Sequence, residues 1–193
     1  MELSIPSFCL IVLIGPAGSG KTTFARRHFK PTEILSSDSC REWVSDDENN
    51  QAATADAFEV LHLVTTKRLA RRRLTVIDAT NVQKKARRPL LELAREHRCP
   101  CVGVVFDLPG EVCLEQNLER PDRSVAPDVV RKQIGQLRDS LAALPERDIP
   151  SPTMERDALS ALREEGLQEV YVFRCLRELD GATVERRPRA PSV

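Results

Sequence analysis

Gly15-Pro16-Ala17-Gly18-Ser19-Gly20-Lys21-Thr22 has the spacing G-x-x-x-x-G-K-[ST], in which a closely wrapped backbone turns its N–H groups inward onto phosphate oxygens. The glycines permit the wrap, and the positive end of a helix starting near Lys21 adds to the attraction. The Lys21 ammonium then reaches the β- and γ-phosphates, and the Thr22 hydroxyl is the kind of oxygen ligand that magnesium accepts while it keeps several waters. Thr23 follows on the same first helical turn. An apolar run of strand length, 8–14, precedes the loop and a segment of helical period follows it, so the context that the motif needs is present. Such a loop calls for ATP or another nucleoside triphosphate, bound with Mg2+.

Further groups offer chemistry to an acceptor or to the phosphates. Asp38, in Ser36-Ser37-Asp38-Ser39-Cys40-Arg41, follows the apolar run 33–36, where a carboxylate can take the proton of an attacking hydroxyl; it can equally cap a helix that begins nearby. Arg41 stands one helical turn on, and its fork suits a phosphate on the acceptor, with a surface ion pair to Glu42, Asp46 or Asp47 as the plainer alternative. Asp78 ends Leu74-Thr75-Val76-Ile77, a place for the magnesium shell, directly or through water, or for a hydrogen bond that fixes the loop. Arg120 and Arg123 lie in a break between two helical patterns, where an arginine-bearing lid over about 116–130 would neutralise charge on the phosphates; in so arginine-rich a chain, either can also be an ordinary exposed residue.

These residues need elements to hold them. Apolar runs at 8–14, 33–36, 74–78, 101–107 and 168–173 alternate with segments of helical period at 21–29, 51–72, 84–97, 110–120 and 127–144. That alternation predicts a doubly wound α/β domain, a parallel sheet flanked by helices with ligands at the carboxyl ends of the strands, and with the phosphate loop it reads as a P-loop NTPase/kinase fold. Gly15, Asp38, Asp78 and Leu108 fall there. A chain of 193 residues, 41% hydrophobic, carries enough apolar material for one core, so 1–185 reads as one domain. The Pro-rich stretch 145–157 reads as a loop, with a short helix near 157–164, and 186–193 as a tail or linker.

Lys plus Arg (29) equals Asp plus Glu (29), so total charge announces no nucleic acid or membrane. The longest apolar run, Phe8 to Ile14, is far short of the roughly 20 residues that span a bilayer. Six cysteines without a C-x-x-C pair suit a reduced, cytoplasmic setting, and Cys99 and Cys101 near His97 read as buried thiols rather than half a metal site. Basic groups at Arg68, Arg71, Arg72, Arg73 and at Lys84, Lys85, Arg87, Arg88 either track a polynucleotide backbone or form solvated helix faces.

The P-loop with Thr23-Phe24-Ala25-Arg26, Lys30-Pro31-Thr32-Glu33, Ser36-Ser37-Asp38, Ser45-Asp46-Asp47-Glu48-Asn49, Thr75-Val76-Ile77-Asp78-Ala79-Thr80-Asn81 and Asp122-Arg123 together resemble the kinase module of bacterial polynucleotide kinase-phosphatases, over about 8–144 and again at 166–188. The resemblance implies ATP-dependent phosphorylation of 5′-OH RNA or DNA ends with Mg2+, in a polypeptide that can also carry phosphatase and ligase modules. It implies Asp38 as general base, Arg41 on the acceptor's 3′ phosphate, Arg123 as lid arginine and Gln51 lining the acceptor site. Gln116 departs from the pattern, standing where a further lid arginine is expected. Two other readings stay open: a small-metabolite kinase of the same architecture, and a nucleotide-binding module without transfer, its GTPase form disfavoured by the lack of D-x-x-G after strand 74–78 and of N-K-x-D.

Overall fold

The computed structural model describes residues 1–119, 125–141 and 160–188. Arg120, Arg123 and the Pro-rich stretch 145–157 lie outside the described residues.

Among the described residues the strands are β1 (Glu2–Pro6), β2 (Leu10–Ile14), β3 (Ile34–Ser36), β4 (Thr75–Asp78), β5 (Cys101–Phe106), β6 (Glu169–Phe173) and β7 (Thr183–Arg187). Five of them form one sheet in the order β3-β4-β2-β5-β6, every pair parallel. All residues of β2, β4 and β5 are buried, as expected for central strands covered on both faces. Alternation divides the core: Leu10, Val12 and Ile14 face one cluster, Ile11 and Leu13 the other.

The helices are α1 (Lys21–His28), α2 (Ser37–Ser45), α3 (Thr54–Ala70), α4 (Lys84–Glu96), α5 (Gly110–Leu118) and α6 (Pro127–Leu141), and residues 160–165 and Leu176–Asp180 are also helical. Leu61 and Leu69 of α3, Leu90 and Leu91 of α4 and Leu137 and Leu141 of α6 cover one face. Phe24 and Ala25 of α1, Cys113 of α5 and Leu179 cover the other. From β2 the chain goes to β3 and β4 on one side, then crosses to β5 and β6 on the other. The switch point therefore lies above the carboxyl end of β2, where the phosphate loop begins. No helix among the described residues is long and apolar enough to cross a membrane.

Three sequence expectations are corrected. Arg186 and Arg187, expected to begin a tail, close β7, which runs parallel to β1 from Glu2↔Thr183 to Pro6↔Arg187. Leu3 and Ile5 bury this two-stranded ribbon against the core, and Arg186 grips Glu33 through two hydrogen bonds, of 2.9 and 2.8 Å. Arg87, grouped with a basic surface, is fully buried: it donates to both Glu165 oxygens at 2.9 and 2.7 Å, to Ser140 at 2.7 Å and to the Asn81 and Val82 carbonyls. Its position on α4 faces the core, and an internal carboxylate offsets the cost of burying the charge. Gln51 starts a short 3-10 turn, Gln51–Ala53, rather than the long helix, which begins at Thr54. Cys9, Cys40, Cys99, Cys101 and Cys113 are buried free thiols, and burial pushes Cys9 and Cys99 up to about 12, so they pack as small apolar groups.

Candidate functional site

Residues 15–22 wrap from the end of β2 into α1. Gly18 sits at φ +78, and a Cβ there would lie 1.9 Å from the Cys113 carbonyl oxygen, so only glycine lets the loop lie against α5. Gly20, at φ 86, is the left-handed residue from which α1 starts. The Gly15 N–H donates to the Thr80 carbonyl at 2.9 Å, and the Asn81 amide, itself buried, donates to the Leu13 carbonyl at 2.9 Å. These two bonds bind the segment after β4 to the phosphate-loop strand.

Lys21 is buried with its ammonium on the loop's own oxygens, 2.6 Å from the Pro16 carbonyl and 3.3 Å from the Ser19 hydroxyl. The Thr22 hydroxyl donates to Asp78 Oδ2 at 2.8 Å. Thr22 and Asp78, far apart in sequence, are thus a contact pair. Both supply hard oxygen, which fits a small divalent cation that keeps waters and completes its shell from phosphates. Among the described residues no group of three or more His, Cys, Asp or Glu could hold a metal ion by itself.

β3 pairs with β4 so that Ser36 is the register partner of Asp78. Ser36 caps α2, its hydroxyl accepting the N–H groups of Asp38 at 3.2 Å and Ser39 at 3.5 Å. Asp38 is therefore not the cap but sits in the first turn, where the helix dipole favours its charge. Arg41 and Ser37 both donate to Asp38 Oδ1, which orients the carboxyl group. Arg41 also donates from Nε to the Glu48 carbonyl at 2.7 Å, and its side chain is only 11% exposed, so it is no loose surface pair. That bond holds the loop leading to Gln51, which is exposed and donates to the Asn49 carbonyl at 3.3 Å.

Among the described residues, cavities lie on both sides of the loop. One of about 440 Å³ is lined by the polar residues Thr22, Asp78, Ser36, Ser39 and Arg26 and by Phe29, Pro31 and Ile34. It joins the phosphate loop to the residues on either side of Asp38. The other, of about 320 Å³, lies by Gly20 and Thr23 and is walled by Phe24, Arg27, Gln116, Glu119, Leu176 and Leu179. Gln116, singled out as a departure, lines this cavity. A third, of about 370 Å³ beside Pro100 and Gln168, lies at the amino ends of β5 and β6, away from the loop.

Sequence reasoning missed Leu176 and Leu179, whose short helix carries no motif, and Gln133 of α6, whose Oε1 accepts the Ala17 N–H at 2.8 Å. It also missed Asp107, at the end of β5, where burial pushes the carboxyl up against the lowering pull of Arg174 and Arg138. Asn117 of α5 is fully buried and pairs with both backbone groups of Val125, at 2.7 and 3.1 Å. Of the basic groups, Arg71, Arg72 and Arg73 are exposed at the amino end of β4, opposite the phosphate loop, whereas Lys84 and Lys85 are exposed at the start of α4 on the loop's side.

Residues 10–144 match the AAA domain family, which is more than half of the chain. Among solved structures, the chain is similar to one in the Pnkp1/Rnl/Hen1 RNA repair complex, with 25% identity, a TM-score of 0.60 and coverage of 74% of this chain and 48% of that one. It is also similar to Kti12 of Chaetomium thermophilum in complex with ADP-AlF3 (18% identity, TM-score 0.53, covering 86% of this chain and 88% of that one). A third is AvrRxo1-ORF1:-ORF2 with ATP (13% identity, TM-score 0.61, covering 88% of this chain and 55% of that one). The last two likenesses are of fold alone. The chain spans about half the length of the first of these relatives. No curated protein sequence matches.

Proposed function

We propose that this chain, which belongs to the AAA domain family and is a P-loop kinase-type nucleotide-binding domain, transfers the γ-phosphoryl group of ATP to the 5′-OH end of RNA or DNA. The observation that carries the reading is the cavity in which Thr22 and Asp78 of the phosphate side meet Ser36 and Ser39, the neighbours of Asp38. A donor and an acceptor can meet only where both sets of residues face one space.

The loop amides and Lys21 grip the triphosphate, and Thr23 with the 320 Å³ cavity beside it takes the nucleoside. Asp38 accepts the acceptor's hydroxyl proton as its oxygen bonds to the γ-phosphorus and the bond to the departing ADP oxygen breaks. Arg41 orients Asp38 and, by resemblance, binds the acceptor's 3′ phosphate; Gln51 lines the acceptor's path. Thr22 and Asp78 would hold Mg2+, which when bound neutralises charge on the phosphates. Arg120 and Arg123 are proposed as lid arginines on sequence resemblance alone. The likeness to a chain of an RNA repair complex favours a polynucleotide acceptor, and attached phosphatase and ligase modules belong to the same proposal.

The test is transfer of label from γ-labelled ATP to oligonucleotides bearing a 5′-OH, in RNA and DNA form, with Mg2+. Transfer that disappears with Asp38→Ala is expected; no transfer to any end would overturn the reading. A second reading, a small-metabolite kinase, draws on the single-ligand size of the 440 Å³ cavity and on the burial of Arg87, which removes one cation from any polynucleotide track. Sugars, nucleosides or acids that outcompete oligonucleotides in ATP turnover would favour it.

A further inference from the structure

Gln133 reaches from α6 into the phosphate loop, across 116 residues of sequence, to accept the Ala17 N–H at 2.8 Å. Only the amide oxygen can accept, so this bond fixes which way the side chain is turned. The Nε2 group, on the same carbon, is a donor of two hydrogens, and among the described residues it has no acceptor.

The position of Ala17 says what Nε2 can meet. The amides around Gly20 to Thr22 stand at the amino end of α1, where a loop of this kind holds the inner phosphates while its lysine extends toward the terminal one. Here the Lys21 ammonium lies 2.6 Å from the carbonyl oxygen of Pro16, the residue next to Ala17. Residues 16 and 17 therefore border the place of the terminal phosphate, and Gln133 is bonded to that border.

We propose that Gln133 is a γ-phosphate contact: Oε1 stays on the Ala17 N–H while Nε2 donates to an oxygen of the terminal phosphate, so that α6 distinguishes triphosphate from diphosphate. The inference rests on the phosphotransferase reading of the loop and adds to it a residue that no motif contains. Donation from a neutral amide to an anionic oxygen is lost when ADP replaces ATP, because the acceptor leaves with the phosphoryl group.

The test compares dissociation constants for ADP and for a non-hydrolysable ATP analogue, by calorimetry with Mg2+, in the wild type, Gln133→Leu and Gln133→Glu. Glutamate keeps an acceptor for Ala17 but sets a negative charge against the phosphate. Gln133→Glu is expected to weaken the ATP analogue at least about tenfold while ADP changes by no more than about threefold. Gln133→Leu should lower the preference for triphosphate over diphosphate by about tenfold. Recovery of the wild-type preference in Gln133→Glu would show that Gln133 only props the loop and would overturn the inference, as would equal weakening of both nucleotides in either variant. A wild type that binds neither nucleotide would overturn the proposed function as well, which the labelled-transfer assay reads separately.

Discussion

The Thr22 hydroxyl and the Asp78 carboxylate meet at 2.8 Å, joining the first turn of α1 to the end of β4. The contact locks the phosphate loop to the neighbouring strand and presents two oxygens to one point. Its two roles separate by substitution. Asp78→Asn keeps an acceptor for Thr22 but removes the charge, so the folded state should lose no more than about 1 kcal/mol. Phosphoryl transfer should fall by about a hundredfold, because that charge would hold the cation on the phosphates. Thermal unfolding and steady-state turnover over a range of Mg2+ concentrations check both halves; unchanged turnover would leave Asp78 a purely structural link.

Asp38 is held by two donors on one oxygen, Arg41 and Ser37, at the amino end of α2. Asp38→Asn preserves shape and hydrogen bonding but cannot take up a proton. Turnover should drop by about 10²–10⁴-fold, the usual worth of a positioned base, with little change in the KM for ATP. A rise in the ATP KM with turnover intact would place Asp38 in donor binding instead.

Arg41 also holds the Glu48 carbonyl, so Arg41→Ala frees both Asp38 and the loop before Gln51. The expected result is a loss of about tenfold or more in kcat/KM for the acceptor and a smaller effect on ATP. Arg41→Lys should recover little, because one ammonium cannot hold both partners in a planar fork. Initial rates with acceptor varied at saturating ATP make the comparison.

Much of this arrangement is legible before any coordinates. The P-loop is readable because each of its residues has a backbone or ligand task at a fixed spacing, and Asp38 and Asp78 because they stand at or just after the ends of segments read as strands. The runs match β2 to β6 closely, most plainly at β2, β4 and β5, which are central and buried on both faces. What escapes is whatever depends on long-range meeting. β7 exposes Thr183, Glu185, Arg186 and Arg187 and has one partly buried apolar residue, Val184, so it carries no strand pattern until β1 pairs with it. Arg87 looks like any arginine in a basic run until Glu165 arrives from 78 residues away. Ser36 and Asp38 are both good caps on residue type, and only backbone geometry assigns the role to Ser36.

Arg87 and Glu165 form a buried ion pair, with side chains 0% and 4% exposed. Arg87→Met leaves the Glu165 carboxylate buried without its partner and should cost about 3–5 kcal/mol. The double variant Arg87→Met with Glu165→Met replaces both charges by apolar groups and should regain a large part of that loss. Urea unfolding of the two single variants and the double variant gives the coupling directly; additive losses would mean that the two groups act independently.

Glu33 and Arg186 couple acid stability to the terminal ribbon. Burial pushes the Glu33 carboxyl up, but the Arg186 hydrogen bonds, the Lys30 N–H and the two positive charges together outweigh it, leaving it below the ordinary glutamate value. A carboxyl depressed on folding binds fewer protons in the native than in the unfolded state through that window, so stability rises with pH there. Its contribution is complete above the unfolded value and is lost as pH falls through the folded one. Arg186→Met removes the main depressing partner and leaves burial, so this acid-side rise should flatten or reverse, and stability near neutral pH should drop by about 1–3 kcal/mol. Because Phe29, Pro31 and Ile34 wall the 440 Å³ cavity next to Glu33, the same variant should also raise the acceptor KM while leaving nucleotide affinity unchanged. Urea unfolding between pH 3 and 7 and paired KM measurements test both effects, and a variant with the wild-type pH profile would show that the Glu33–Arg186 pair does not couple acid stability to β7.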